Sequence, residues 1–280
     1  MSYKSILVQV DNSPACAERI SLACTMAREF EAHLTALAFV PPIRLPASVH
    51  THFGADVQER YAALQQQEAD QALERFRRMA ASADVGSVEL RRADGDPAAA
   101  FAIQARYNDL TIIGQFHSTD DPGQSQDGRG FQDQALLAAG RPVLVVPYTG
   151  RFPHCGDRIV VAWDAGREAS RAVHDALPLL KKAREVTVLV INANKAGRHG
   201  EEPGADIALL MARHGVKVNV VQDSCRELDP GIFLLSRIAD LDADLLVMGA
   251  YGHSRLREIV TGGVTRTLLD SMTVPVLMSH

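Results

Sequence analysis

The sequence predicts an α/β protein made of two similar domains, each a doubly wound, parallel, five-stranded sheet. The chain has 280 residues, which is long enough for two hydrophobic cores. Short, nearly continuous runs of Val, Ile and Leu alternate with stretches of helical periodicity, as expected for strands that helices cover on both faces. Repeated strand–helix units of this kind favour a parallel sheet.

Three segments of the first half recur in the same order in the second half, which indicates an internal repeat. The matching pairs are Ile6–Asp11 with Ile159–Asp164, Asp109–Gly114 with Asp244–Gly249, and Arg141–Pro147 with Val274–Met278. The first and second segments stand further apart in the first copy, so this copy carries an insertion. We expect the insertion between Pro41 and Gln67, as a loop followed by a longer helix.

A short stretch containing Gly and Pro, Tyr148–Gly156, separates the two copies and is typical of a linker. We therefore predict one domain at residues 1–149 and a second at residues 156–280. The linker is too short to let the two domains move far apart.

The second copy shows the alternation of strands and helices most clearly. Its predicted strands are Arg158–Trp163, Glu185–Asn192, Val216–Val221, Leu245–Met248 and Val274–Met278. Its predicted helices are Glu168–Lys181, Ala205–Arg213, Ile232–Ala239 and Val264–Ser271. Doubly wound sheets bind ligands beyond the carboxyl ends of their strands, where the strand order reverses. The site is therefore expected just after the strands that end at Asp164 and Gly249.

Glycines follow the fourth strand of the second copy in a pattern that suits an anion. Gly249 and Gly252 stand at the strand end, and a helix begins near Gly263. Glycine lets the backbone turn tightly and approach a ligand without a Cβ, and free N–H groups at a helix start favour phosphate. We expect a phosphate cradle here, with the Thr265 hydroxyl as a further donor and Asp164 accepting hydrogen bonds from a base or a sugar.

These residues carry a resemblance to the universal stress protein family, as two copies in tandem over nearly the whole chain. The segments that carry it are Ala162–Asp164, Gly249–Gly252 and Gly262–Thr265. The resemblance implies a Rossmann-like sheet of five parallel strands per domain, of the adenine nucleotide alpha hydrolase-like type. In the ATP-binding members, adenine and ribose lie near the first-strand Asp and the first glycines, and the phosphates lie on the second glycine segment.

The resemblance implies that the second domain binds ATP or AMP, with or without Mg²⁺, and acts as a stress-response regulatory module. The implied contacts are Asp164, Gly249, Gly252, His253, Gly262, Gly263, Val264 and Thr265. The family often has Ser or Thr directly after the third glycine, where this chain has Gly263. That departure loses one hydroxyl donor, worth about 1 kcal/mol, but keeps the backbone N–H.

The first copy matches the glycine pattern poorly. It retains Asp11 and Gly114, but His117 stands at the position of the second glycine and Arg129 at that of the third. Because these side chains would crowd a phosphate, we predict that the first copy does not bind a triphosphate. We interpret Ser118–Gly130 as a mobile polar loop.

Composition and charge argue against several kinds of partner. The net charge of -5 and the pI of about 6.1 argue against a nucleic acid bound through a basic surface. Apolar runs are too short for a membrane span, and the N-terminus shows no signal pattern. The four cysteines form no Cys-x-x-Cys pair, so we expect a reduced, cytoplasmic protein. His50 and His52 lie close together but do not complete a tetrahedral set, so no metal site is expected.

The closing strands of the two copies, Val143–Val146 and Val276–Met278, are apolar and lie at sheet edges. The resemblance implies that they pair with each other, which would make the chain an internal pseudo-dimer, with a homodimer of the whole chain as a further option.

Two other functions stay open at this point. A ligand-free interaction scaffold is favoured by the degenerate first copy. An enzyme, through slow ATP hydrolysis or adenylyl transfer, is the less favoured alternative, since the sequence shows no pre-arranged base or paired carboxylates near the glycine loop.

Overall fold

The structure, a computed structural model, describes residues 2–42, 55–116, 125–193, 202–225, 228–252 and 263–280. In the first half the elements are β1 (Ser5–Gln9), α1 (Cys16–Phe30), β2 (His33–Val40), α2 (Ala55–Ser82), β3 (Val88–Asp94), α3 (Pro97–Ala105), β4 (Leu110–Gly114), α4 (Ser125–Ala138) and β5 (Val143–Val146). In the second half they are β6 (Arg158–Ala162), α5 (Arg167–Leu180), β7 (Glu185–Ile191), α6 (Ala205–Arg213), β8 (Val218–Asp223), α7 (Pro230–Asp240), β9 (Leu245–Gly249), α8 (Val264–Ser271) and β10 (Val276–Ser279).

The ten strands found among the described residues belong to one continuous sheet, in the order β3-β2-β1-β4-β5-β10-β9-β6-β7-β8. Each half contributes five parallel strands, as the sequence predicts. The halves join where β5 and β10 pair antiparallel, with Leu144 opposite Leu277, so the expected pairing of the closing strands is confirmed. The strand order reverses between β1 and β4 and again between β6 and β9. Each half therefore has one crevice of the kind that binds ligands in such sheets.

Side chains alternate between the two faces of the sheet and pack into two hydrophobic clusters. Ile6 and Val8 belong to one cluster and Leu7 to the other, and Ile159 and Val160 divide in the same way. This alternation follows from the two-residue period of a strand. Both clusters contain residues of both halves, so the core is continuous across the β5–β10 junction.

The insertion predicted in the first half is visible in the length of its second helix. Helix α2 has 28 residues, whereas α6, at the same place in the second half, has 9. The loop expected before α2 lies largely outside the described residues. No helix in the described part of the chain is long and apolar enough to cross a membrane.

The prediction of a loop at Ser118–Gly130 is wrong for its second part, because α4 begins at Ser125. Residues 117–124 lie outside the described part. Helix α4 carries Ala135 and Leu136 into the same cluster as Phe101, and the ring of Phe131 packs edge-on against Phe101 at 5.6 Å. Burial of this apolar face stabilises the helix despite the polar composition of its first turns.

The linker Tyr148–Gly156 contains no helix or strand, as predicted, but it is packed down rather than free. Phe152 and Cys155 are buried. The backbone N–H of Phe152 donates to Glu18 Oε1 of α1 at 2.5 Å. The linker is thus anchored to the first half.

Polar side chains also bridge the two halves close to the β5–β10 junction. Gln115, which follows β4 and is 6% exposed, donates from Nε2 to the carbonyl oxygen of Leu269 in α8 at 2.8 Å. Its Oε1 accepts the N–H of Tyr148 at 3.2 Å. The Tyr251 hydroxyl donates to Asp133 Oδ1 of α4 at 2.6 Å. The loop after β9 and the helix α8 are therefore both tied to the first half.

We predict that Gln115→Leu lowers the free energy of unfolding by about 2 kcal/mol, because it leaves two backbone groups without their side-chain partner in a buried place. Chemical denaturation of the full chain measures the change. Gln71→Leu, on the exposed side of α2, is the control and should change stability by less than about 0.5 kcal/mol. Equal effects of the two substitutions would contradict a bridging role for Gln115.

Candidate functional site

The crevice of the second half is bordered on one side by the turn between β6 and α5. Asp164 follows the end of β6, and its Oδ1 accepts the N–H of Gly166 at 2.8 Å. Ala165, between them, has a positive φ of 58°. The Asp164 side chain therefore shapes the turn that leads into α5, and it remains exposed at the carboxyl end of the sheet.

At Gly249, the last residue of β9, the backbone of another segment comes very close to the strand. A Cβ built there would lie 2.5 Å from the backbone nitrogen of Ala169 and 2.7 Å from the carbonyl carbon of Glu168. The start of α5 thus packs directly against the end of β9. Gly249 has a structural reason to be glycine that does not depend on a ligand.

Gly252 faces a buried carboxylate. A Cβ built at Gly252 would lie 3.0 Å from Oε2 of Glu168, whose residue is only 7% exposed. Oε1 of Glu168 accepts from Arg167 Nη2 at 3.0 Å, and Arg167 itself is exposed. Sequence reasoning missed Glu168 because an acid in the first turn of a helix is ordinarily a solvated dipole partner. The sequence offered one indication that Glu168 lies near the site: it follows Asp164, the residue after the first strand of this half, by four positions.

The second glycine segment meets the first through Thr265. Helix α8 begins at Val264, with Gly263 as an N-cap that makes no side-chain hydrogen bond. The backbone N–H of Tyr251, a residue with a positive φ of 55°, donates to Thr265 Oγ1 at 3.3 Å. The Gly249–Gly252 loop and the start of α8 therefore lie side by side, and the buried Thr265 hydroxyl holds the loop.

Six of the eight predicted contacts lie within the described residues: Asp164, Gly249, Gly252, Gly263, Val264 and Thr265. The structure places the Gly249–Gly252 loop next to Thr265. Asp164 lies in the turn before α5, and the start of α5 packs against Gly249 and Gly252. The other two, His253 and Gly262, lie outside the described residues. The assignment of these residues to a nucleotide stays a prediction.

The corresponding crevice of the first half is filled by Arg19, which is 3% exposed. Arg19 Nη2 lies 2.6 Å from Asp11 Oδ2, and its Nε donates to the Gln9 carbonyl oxygen at 2.7 Å. A Cβ built at Gly114 would collide with Nη1 of the same guanidinium. Gly114 is therefore glycine because it makes room for Arg19.

The Asp11–Arg19 pair shifts both ionisation equilibria. Burial disfavours both charges, but their mutual attraction and the hydrogen bonds from Ser13 outweigh it. The pKa of Asp11 lies below its ordinary value, and the pKa of Arg19 lies above its own. The first-strand Asp of this half is thus already paired within the protein.

The prediction that His117 and Arg129 obstruct the first crevice stays a prediction, and the obstruction that the structure describes comes from Arg19. His117 and the side chain of Arg129 lie outside the described part of the chain. Arg19 could have been found by aligning the two copies on their first-strand Asp residues, because the second copy has the fully buried Ala172 at that position.

One group of metal-ligating side chains comes together among the described residues, at the opposite end of the strands. His154 Nδ1 lies 3.6 Å from Asp244 Oδ2, and Asp157 lies beside them. The oxygens of Asp244 accept backbone N–H groups at the start of β6 at 3.0 Å and 2.9 Å. Asp109 holds the start of β1 in the same way. The position of the Asp244 carboxylate is therefore explained by the backbone hydrogen bonds that it accepts, and it needs no metal ion.

Comparison with known proteins decides the family. The profile of the universal stress protein family matches residues 2–119 and 156–280, once in each half. The chain belongs to the universal stress protein family. The universal stress protein Slr1230 from Synechocystis sp. is 25% identical over 176 residues, which cover 60% of this chain and 57% of that relative. The chain thus matches little more than half the length of that relative.

Two solved structures show the same fold over nearly the whole chain. A universal stress protein from Archaeoglobus fulgidus superposes with a TM-score of 0.76 at 16% identity, covering 98% of this chain and 95% of that one. A functionally unknown protein from Pseudomonas aeruginosa superposes with a TM-score of 0.54 at 19% identity, covering 99% and 92%.

We predict that Asp11→Asn lowers stability by about 2 kcal/mol near neutral pH, because it leaves the buried Arg19 without its counter-charge. The figure is below the range for fully buried pairs because the Asp11 side chain is 36% exposed. The lowered pKa of Asp11 means that its contribution is complete above about pH 4 and is lost as the pH falls through the folded-state value. Denaturant titrations of both proteins between pH 3 and pH 8 measure the difference.

Asp94→Asn is the control, at an exposed residue that ends β3 in the same half. Stability should change by less than about 0.5 kcal/mol. A stability deficit of Asp11→Asn that persists unchanged at pH 3 would contradict the charge argument.

Proposed function

We propose that the second half of this universal stress protein binds an adenine nucleotide, ATP or AMP, and that the chain acts as a nucleotide-dependent binding module in stress response. The observation that carries the proposal is the junction of the Gly249–Gly252 loop with the start of α8, through Tyr251 and Thr265. This junction lies in a crevice where the strand order reverses, which is where open α/β sheets take their ligands.

The start of α8 has the chemistry to hold a phosphate. The first N–H groups of a helix have no acceptor within the helix, and the dipole behind them favours negative charge. Gly263 supplies no side-chain cap to occupy them. Thr265 accepts from Tyr251 but keeps its own hydroxyl proton as a donor. Gly252 adds backbone without a side chain.

Asp164 suits the nucleoside part of such a ligand. Its carboxylate is exposed just after the end of β6, the strand next to β9. A carboxylate there accepts hydrogen bonds from ribose hydroxyls or from the adenine amino group. Its backbone anchor at Gly166 fixes the orientation of the side chain.

The first half is proposed to bind no nucleotide, since Arg19 occupies its crevice and neutralises Asp11. One nucleotide per chain is then expected. The filled crevice also favours a second candidate function for this half, that of an interaction scaffold whose shape does not depend on a ligand. A homodimer of the whole chain and a cytoplasmic location stay predictions from the sequence.

We predict that Gly263→Glu abolishes nucleotide binding without unfolding the protein. The backbone angles at Gly263, φ -54° and ψ 164°, are open to any residue, whereas a carboxylate there would repel a phosphate. Native mass spectrometry measures whether adenine nucleotide is carried or taken up from millimolar ATP, and thermal unfolding reports the fold.

Gly86→Glu is the control, because it adds the same charge where a side chain meets nothing within 4 Å. It should bind nucleotide as the unaltered protein does. Unchanged affinity in Gly263→Glu would contradict the site. No mass shift of the unaltered protein in millimolar ATP would favour the ligand-free scaffold.

A further inference from the structure

The loop between Gly249 and Gly252 is held by a side chain of the other half. The Tyr251 hydroxyl donates to Asp133 Oδ1 of α4 at 2.6 Å, a length typical of a hydroxyl bound to a carboxylate. Both side chains are half-buried. Tyr251 has a positive φ of 55°, which a residue with a Cβ keeps only where its surroundings hold it. Asp133 therefore helps to fix the conformation of a loop that belongs to the proposed site.

The backbone junction between this loop and the last helix is present in both halves. In the second half, the N–H of Tyr251 donates to Thr265 Oγ1 of α8. In the first half, the N–H of Phe116 donates to Gln132 Oε1 of α4 at 3.2 Å. Phe116 stands opposite Tyr251 when the copies are aligned on their fourth strands. Gln132 stands opposite Thr265 when they are aligned on their closing strands. The two junctions are therefore equivalent.

The hydrogen bond between the side chains of the two halves, by contrast, exists in one direction only. Phe116, the counterpart of Tyr251, has no hydroxyl to donate to the second half. Arg266, the counterpart of Asp133 in the alignment on the closing strands, has no side-chain acceptor. The reverse of the Tyr251–Asp133 bond therefore cannot form, and the second half does not hold the loop of the first half in this way.

A second contact between the halves has the same direction. Gln115 Nε2 donates to the carbonyl oxygen of Leu269 in α8 at 2.8 Å. Ala250, the counterpart of Gln115, has no side-chain amide with which to return this contact. By these two contacts the first half holds both the loop and the helix of the proposed phosphate site, and the second half cannot hold their counterparts in the same manner.

We propose that Asp133 is a positioning residue through which the first half sets the nucleotide affinity of the second half. Asp133 holds the Tyr251 hydroxyl, and Tyr251 in turn keeps the backbone of its loop against Thr265. Without this anchor the nucleotide itself would have to order the loop, and the cost of ordering would reduce its affinity. The proposal rests on the proposed function and gives the half without a nucleotide a part in it.

The test is calorimetric titration of the full chain with ATP, for variants that each remove one partner of the bond. Asp133→Ala removes the acceptor, and Tyr251→Phe removes the donor but keeps the ring. Each should weaken ATP binding about fivefold, the size expected for the loss of one hydrogen bond that supports the site. The double variant should also be about fivefold weaker, rather than about 25-fold, because both substitutions break the same bond.

Two controls separate this contact from a general loss of stability. Asp133→Asn keeps an oxygen that can accept the Tyr251 hydroxyl, so its ATP affinity should lie within about twofold of that of the unaltered protein. Asp109→Ala removes a carboxylate of the first half that accepts the N–H groups of Lys4 and Ser5 at the other end of the strands. It should lower the unfolding temperature but leave the ATP affinity within about twofold.

The outcomes distinguish this proposal from the function on which it rests. If Asp133→Ala and Tyr251→Phe bind ATP as tightly as the unaltered protein, the role of Asp133 is overturned while nucleotide binding stands. It is overturned as well if the losses multiply in the double variant, since the two side chains would then act separately. If the unaltered protein takes up no ATP, the proposed function fails and the role of Asp133 fails with it.

Discussion

The absence of a side chain at the end of the fourth strand of each half is the constraint on which the rest of the structure depends. Gly114 and Gly249 allow the helix that follows the first strand to approach the sheet at the place where the strand order reverses. In the first half the space is taken by the Arg19 guanidinium, and in the second by the backbone of α5 and the side chain of Glu168. The same fold thus yields a closed crevice and a candidate binding crevice.

Because β5 pairs with β10, the two unlike crevices belong to a single folded unit. Antiparallel pairing joins the sheets, and both hydrophobic clusters run through it. Gln115 holds α8, and Asp133 holds the Tyr251 hydroxyl next to Gly252. The proposed phosphate-binding elements therefore take part of their support from the half that is proposed not to bind. A tandem chain can let one copy lose its ligand chemistry and keep that structural role.

The fold was predictable because it follows from strong local signals: apolar runs of strand length, an internal repeat, and glycines at strand ends. The start of α4 at Ser125 was missed, since its first turns are polar and the burial of Phe131 and Leu136 stabilises the helix from further along. Arg19 and Glu168 were missed for a different reason. A charged residue on a helix is solvated in most proteins, and only packing against a strand-end glycine reveals that these two are buried.

We propose that one crevice of this universal stress protein admits a nucleotide and that an internal ion pair closes the other. A crystal structure of the full chain grown with ATP and Mg²⁺ would show which crevice is occupied. We expect one nucleotide per chain, held between Asp164 and the start of α8, with Arg19 still paired to Asp11. A nucleotide in the first crevice, or a second crevice filled by the protein's own side chains, would disprove the proposal.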